Sequence, residues 1–203
     1  MATAMDPKGN ITEIPHRMTR RFSVDEYHRM IDAGVFASDN RFELLEGWIV
    51  AKMTKNPPHV VAVLNGQQRL ARHLLEGWHV RVEAPLTTTE SEPEPDLAIV
   101  RGNIRDYIDH HPGRDEIALV IEVSESTLSE DRHWKARVYA HAGIRVYWII
   151  NLVDEQVEVY TEPTGPVTKP SFRQRRDSRR GEQVWLTIPG QEPVAIDVND
   201  LLP

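Results

Sequence analysis

Glu122 interrupts an otherwise apolar run, ALVIEVS at 118–124, and a lone buried carboxylate is costly unless something pairs with it. Side chains alternate across a strand, so Leu119, Ile121 and Val123 share one face while Val120, Glu122 and Ser124 share the other. Asp96 opens a second run, DLAIV, on the same face as Ala98 and Val100. If the two strands are neighbours, Asp96 and Glu122 converge at one end of a sheet. Two carboxylates a few Å apart repel and raise each other's pKa. A hard divalent cation removes that conflict, because Mg²⁺ takes oxygen ligands and uses one or two carboxylates plus phosphate oxygens. On the segment that follows, Asp131, Lys135 and Tyr139 recur every fourth residue. On a helix they form one polar stripe with neighbours ~6 Å apart. A lysine beside an ion and a phosphodiester can orient an attacking water and stabilise the charge of the transition state. The chemistry these residues suit is metal-assisted hydrolysis. The competing reading is a half-buried Glu122 bridged to Lys135 or Arg137 with no ion, Lys135 covering a sheet edge, Asp131 an acid favoured by the helix dipole and Tyr139 a core residue.

The elements that must position these residues are legible in outline. SVDEYHRMIDAG carries a capping box, Ser23 with Glu26, ahead of a helix that Gly34 ends. RFELLEGWIVAKM predicts a hairpin turning at Glu46-Gly47. Asn56 and two prolines open the longest helix, in which Val60, Val63, Leu64, Ala71, Leu74 and Leu75 recur at helical spacing. Strands are expected over 78–89, 96–100 and 118–124. Thr127 and Glu130 stand at capping-box spacing, and a helix then runs to about Ala142 and stops at Gly143, with Trp134 and Val138 facing the sheet. RVYWIINL and QVEVYTE are further strands. The strand–helix–strand unit from 118 to 151 is most simply parallel. Residues 163–182 read as a loop, and 102–115 as a polar connection. The pattern is an α/β (α+β) domain with a mixed central sheet flanked by helices.

Composition bounds the function. The chain has 203 residues, enough for one core, and 40% hydrophobic against 27% charged residues marks a globular protein rather than a disordered one. Residues 1–20 are polar and without periodicity, which predicts a disordered tail before a single domain over 21–203. No apolar run approaches the ~20 residues that span a bilayer, so no membrane partner is expected. There are no cysteines, which removes thiolate metal sites and a cysteine nucleophile and fits a cytoplasmic location. A net charge of −7 argues against a protein that merely coats nucleic acid, and less against a nuclease, whose metal site is itself acidic. Walker, nucleophile-elbow and zinc-protease motifs do not occur.

FELLEGWIV, EPDLAIV, LVIEVSESTLSEDRHWKARVYAHAGIRVYWIINL and the trailing VEVY together resemble the Uma-two family, whose members are described as putative restriction endonucleases of the PD-(D/E)XK nuclease superfamily. The resemblance covers roughly 22–160 and implies a restriction-endonuclease-like fold. It implies Asp96 and Glu122 as ligands of Mg²⁺ or Mn²⁺, and Lys135 as the catalytic lysine. The usual superfamily lysine stands two residues after the second acid, where this chain has Ser124, so Lys135 is read as a migrated equivalent reaching the site from the helix. Glu43, in FELLEG, matches a family acid that would complete the site. His59 matches a recurring histidine at the start of the long helix.

The expected activity is a metal-dependent endonuclease hydrolysing phosphodiester bonds of DNA, and a homodimer would suit the cutting of both strands. The alternative is a nucleic-acid-binding or regulatory module on a nuclease fold with weak or lost catalysis. A run of arginines, Arg173, Arg175, Arg176, Arg179 and Arg180, could grip a phosphate backbone.

Overall fold

The computed structural model describes residues 3–5, 11–13, 19–36 and 42–203. The expected N-terminal tail falls mostly outside these. Within it Thr3–Met5 (β1) pairs antiparallel with Ile11–Glu13 (β2). Helix α1, Val24–Asp32, carries the expected capping box between Ser23 and Glu26. Strands β3, Phe42–Leu45, and β4, Trp48–Ala51, form the expected hairpin. Both turn residues have positive φ, 50° at Glu46 and 79° at Gly47, the condition for the tight turns that match strand twist. Val24 and Tyr27 of α1 pack on Leu44 of this hairpin.

Helix α2, Pro57–Ala71, is capped by Asn56, whose side chain accepts the His59 N–H. Strand β5, Trp78–Val82, is shorter than expected. Glu83 has φ of 47° and Pro85 cannot donate to a ladder, so the extended run stops there. Strand β6 is Leu97–Arg101 and β7 is Ile117–Ser124, every residue of which is buried. The connection between them carries two short 3₁₀ turns, Ile104–Tyr107 and Arg114–Glu116. Helix α3 covers 128–142, and Gly143 ends it in the left-handed conformation. Strands β8, Val146–Asn151, and β9, Gln156–Pro163, follow.

The segment 163–182 is not one loop. Phe172–Arg179 is a strand, β10, paired antiparallel with β9. Only Ser178 of its eight residues is buried. A charged edge strand guards against stray pairing, and it lacks the apolar alternation by which strands are recognised. Strands β11, Gln183–Leu186, and β12, Val194–Asp197, close the chain as a separate antiparallel pair.

The main sheet has six strands in the order β10-β9-β8-β7-β6-β5. Only β7 and β8 run parallel, joined across α3 as expected; the other neighbours are antiparallel. One face buries Leu97, Leu119, Ile121, Trp148 and Ile150 against α2 and the C-terminal strands. The other buries Val120, Tyr147, Ile149 and Tyr160 against Ala136 and Tyr139 of α3. Apolar layers on both faces make β7 the rigid centre of the fold, and Glu122 and Ser124 lie at its C-terminal end.

Candidate active site

Strands β6 and β7 pair with Leu97 opposite Ile121 and Ala98 opposite Val120, which brings Asp96 beside the end of β7. Asp96 Oδ2 accepts the Val123 N–H at 2.8 Å. Its Oδ1 lies 3.0 Å from both Lys55 Nζ and His59 Nε2. Burial alone would raise the Asp96 pKa, but the bonds from His59 and the charge of Lys55 outweigh it and hold the carboxyl down near about 2.

Glu122 is buried one strand away. Its Oε1 accepts from Lys135 Nζ at 3.0 Å and from the Tyr139 hydroxyl at 2.6 Å. Glu43, buried in the hairpin, has Oε1 3.5 Å from the same ammonium, and its Oε2 accepts the Glu94 N–H at 3.0 Å. Burial, opposed by Lys135 but reinforced by the charges of Asp131, Asp96 and Glu43, pushes the Glu122 carboxyl up to about 8. Burial opposes the charged form of Lys135, yet these same carboxylates raise its pKa well above the ordinary lysine value.

Helix α3 reaches the sheet end through a π-helical turn, Asp131–Lys135, in which Ala136 N–H bonds to Asp131 O. Such a turn places one more residue in the loop of the helix than an α-turn does, and is frequent at functional sites. The stripe Asp131–Lys135–Tyr139 consequently faces the end of β7. Contrary to expectation, it is Ala136 and Tyr139, not Trp134, that pack on the sheet. The Trp134 indole N–H instead donates to Glu46 at 3.1 Å, and Arg137 also pairs with Glu46 rather than Glu122. Thr127 does not cap the helix: its hydroxyl donates to Asp131 Oδ2 at 2.7 Å. Ser124 donates to the same oxygen at 2.6 Å. Asp131 is therefore more than a first-turn acid, since it ties the π turn to the strand end. Its pKa is raised by burial, against the pull of Lys135.

Glu43, Asp96, Glu122, Asp131 and Lys135 line one cleft of about 80 Å³, together with Lys55 and His59 at the N-terminal end of α2. Sequence reasoning missed Lys55. It stands immediately before the Asn56 cap, at the same helix end as His59, and that position is the signal that could have found it. Glu43, Asp96 and Glu122 offer carboxylate oxygens, the donor type a hard cation takes, with the His59 imidazole tied to Asp96 beside them. Among the described residues no three His, Asp or Glu side chains are gathered to cage an ion by themselves.

None of the arginine run lines the cleft: Arg173, Arg175, Arg176 and Arg179 lie on β10 at the sheet edge, and Arg180 in the turn after it. Arg175 pairs with Asp177 at 2.7 Å and lies 3.2 Å from buried Glu158, and Arg180 pairs with Glu155 at 3.1 Å. Among the described residues no acid forms an ion pair with Arg173, Arg176 or Arg179. No described helix is long and apolar enough to cross a membrane.

Comparison with known proteins agrees with this architecture. No curated protein matches the chain. A solved structure described as "a putative nuclease belonging to DUF820 from Anabaena variabilis ATCC 29413" superposes with a TM-score of 0.61. The match covers 89% of this chain and 97% of that one at 14% identity, a likeness of fold. The family model described as "Uma2: Putative restriction endonuclease" matches residues 24–190. With a match over most of its length, the chain belongs to the Uma2 family.

Proposed function

We propose that the chain hydrolyses phosphodiester bonds of DNA in the cleft between β6, β7 and α3, with a divalent cation, Mg²⁺ or Mn²⁺, at Asp96 and Glu122. The observation that carries the reading is the convergence of these two acids from adjacent strands onto a single cleft that also holds Glu43 and the buried Lys135. When bound, the cation supplies Lewis-acid polarisation of the phosphate and a lowered pKa for water. Asp96 is held in orientation by the Val123 N–H, and Glu122 by Tyr139. Lys135 has three N–H donors. One points at Glu122, another side of the ammonium faces Glu43, and the group is placed to position the attacking water and stabilise charge on the phosphoryl oxygens. His59 and Lys55 steady Asp96 from the opposite wall.

A second reading has its own support. Both Asp96 oxygens and the Lys135–Glu122 pair are already satisfied within the protein, as in a structural network on a fold whose catalysis is weak or lost. Calorimetry with Mg²⁺ and Mn²⁺ separates the two. The nuclease reading expects an ion to bind the wild type and its affinity to fall ~10-fold or more in Asp96→Asn and Glu122→Gln. Absence of binding by the wild type favours the regulatory module.

A further inference from the structure

A second groove of about 230 Å³ lies on the opposite side of the sheet edge, between β9, β10 and β11. It is lined by Val159, Thr161, Gln174, Arg176, Val184 and Trp185, among others, and the lining includes two arginines and no carboxylate. Arg175 is engaged by Asp177 and Glu158, whereas among the described residues no acid pairs with Arg176, which leaves a positive charge at this edge of a chain with 31 acids against 24 lysines and arginines. Trp185 is half exposed, at 50%, although its neighbours Val184 and Leu186 are buried in the core. A large aromatic left in solvent beside an unpaired arginine is the chemistry that grips nucleic acid: the ring stacks on a base and the guanidinium holds the adjoining phosphate.

We infer that this groove binds an unpaired nucleobase of a single-stranded nucleic acid, stacked against Trp185, with Arg176 on the backbone. The inference rests on the reading of the chain as acting on nucleic acid, and it names a site separate from the cleft. The groove is smaller than the ~300 Å³ of pockets that enclose drug-sized ligands, which suits one flat ring system. Arg173 and Arg179 lie on the same strand but alternate to its other face, so Arg176 is the arginine that serves the groove. The groove lies on the sheet face opposite the one that carries Glu122 and Ser124. Ser178 pairs with Val157, Val157 with Ile150 and Ile150 with Val123, so the groove is level with the end of β7, three strand spacings or ~14 Å away.

The test is fluorescence anisotropy of a labelled short oligothymidylate with the full chain in EDTA, so that no cutting is needed. Trp185→Leu should weaken binding ~5–100-fold and Trp185→Phe should restore most of it, because stacking needs a ring. Arg176→Ala, at an exposed position, should lower the slope of log K against log salt by ~0.7. The inference is overturned if the wild type does not bind, if Trp185→Leu binds as well as wild type, or if the salt slope of Arg176→Ala is unchanged. Plasmid cleavage with Mg²⁺ is scored separately. A wild type that binds through Trp185 but never cuts removes the nuclease reading and keeps the groove. Cutting that persists while Trp185→Leu binds normally removes the groove and keeps the nuclease.

Discussion

Lys135 Nζ donates to Glu122 Oε1 across 3.0 Å, from a helical turn back to a strand 13 residues earlier. The ammonium stands where three acids, Glu122, Glu43 and Asp131, would otherwise repel one another. Its removal leaves buried carboxylates without a counter-charge. Lys135→Ala should therefore lower stability by about 3 kcal/mol, in line with the breaking of a buried ion pair, and slow cleavage ~10²–10³-fold. Urea denaturation and single-turnover cleavage read the two effects separately. A variant as stable and as active as wild type would remove Lys135 from the site.

The pair also makes a pH signature. Glu122 has its carboxyl raised from an ordinary 4.5 to about 8 by burial and neighbouring acids. The folded protein then binds more protons than the unfolded chain between those values, so this group's stabilisation is present below about 4.5 and is lost as pH rises through about 8. Asp96, held near about 2, acts oppositely: its contribution is present above its ordinary value and is lost as pH falls towards about 2. In EDTA the thermal midpoint should fall between mildly acid and mildly alkaline pH, and Glu122→Gln should flatten that slope. Mg²⁺ binding should release a proton, measurable by calorimetry in buffers of different ionisation enthalpy. A midpoint that climbs steadily over the same range would contradict the raised carboxyl.

Arg132 fixes the π turn from the outside. Its guanidinium is bidentate to Glu158, whose side chain is fully buried, with Nε 3.1 Å from each carboxylate oxygen. Arg132→Ala should cost about 2–3 kcal/mol and slow cleavage ~10-fold, because Lys135 is placed by the same turn. Glu158 keeps partial cover from Arg175, Tyr160 and Asn151, so the domain should still fold. Denaturation midpoints and cleavage rates check this; an unchanged rate would free Lys135 from dependence on the turn.

Ser124 stands two residues after Glu122, and its hydroxyl donates to Asp131. Ser124→Ala should cost about 1–2 kcal/mol for the lost charge-assisted bond while cleavage stays within a few-fold of wild type. A loss of activity as large as that of Lys135→Ala would give Ser124 a role at the reacting atoms.

Much of this arrangement could be read from the residues alone. The apolar run around Glu122 reads as a buried strand, and Asn56 with its prolines as the start of a helix. Antiparallel pairing then put Asp96 beside Glu122. Two features were not legible. The π turn is a single-residue departure from helical period, and i, i+4 counting cannot see it, so Trp134 was expected on the sheet. Strand β10 has no apolar face: Arg173, Arg175 and Arg176 read as loop, and only the backbone ladder to β9 makes them a strand. Lys55 was missed because its bond to Asp96 joins residues 41 apart in the chain, a distance no local pattern reports.

The most direct measurement is conversion of supercoiled plasmid to nicked and linear DNA with Mg²⁺ or Mn²⁺ by the wild type, Glu122→Gln and Lys135→Ala side by side. The account predicts metal-dependent conversion by the wild type, abolished by EDTA, and a ~10²-fold or greater loss in both variants. Cleavage that persists undiminished in both variants would contradict it.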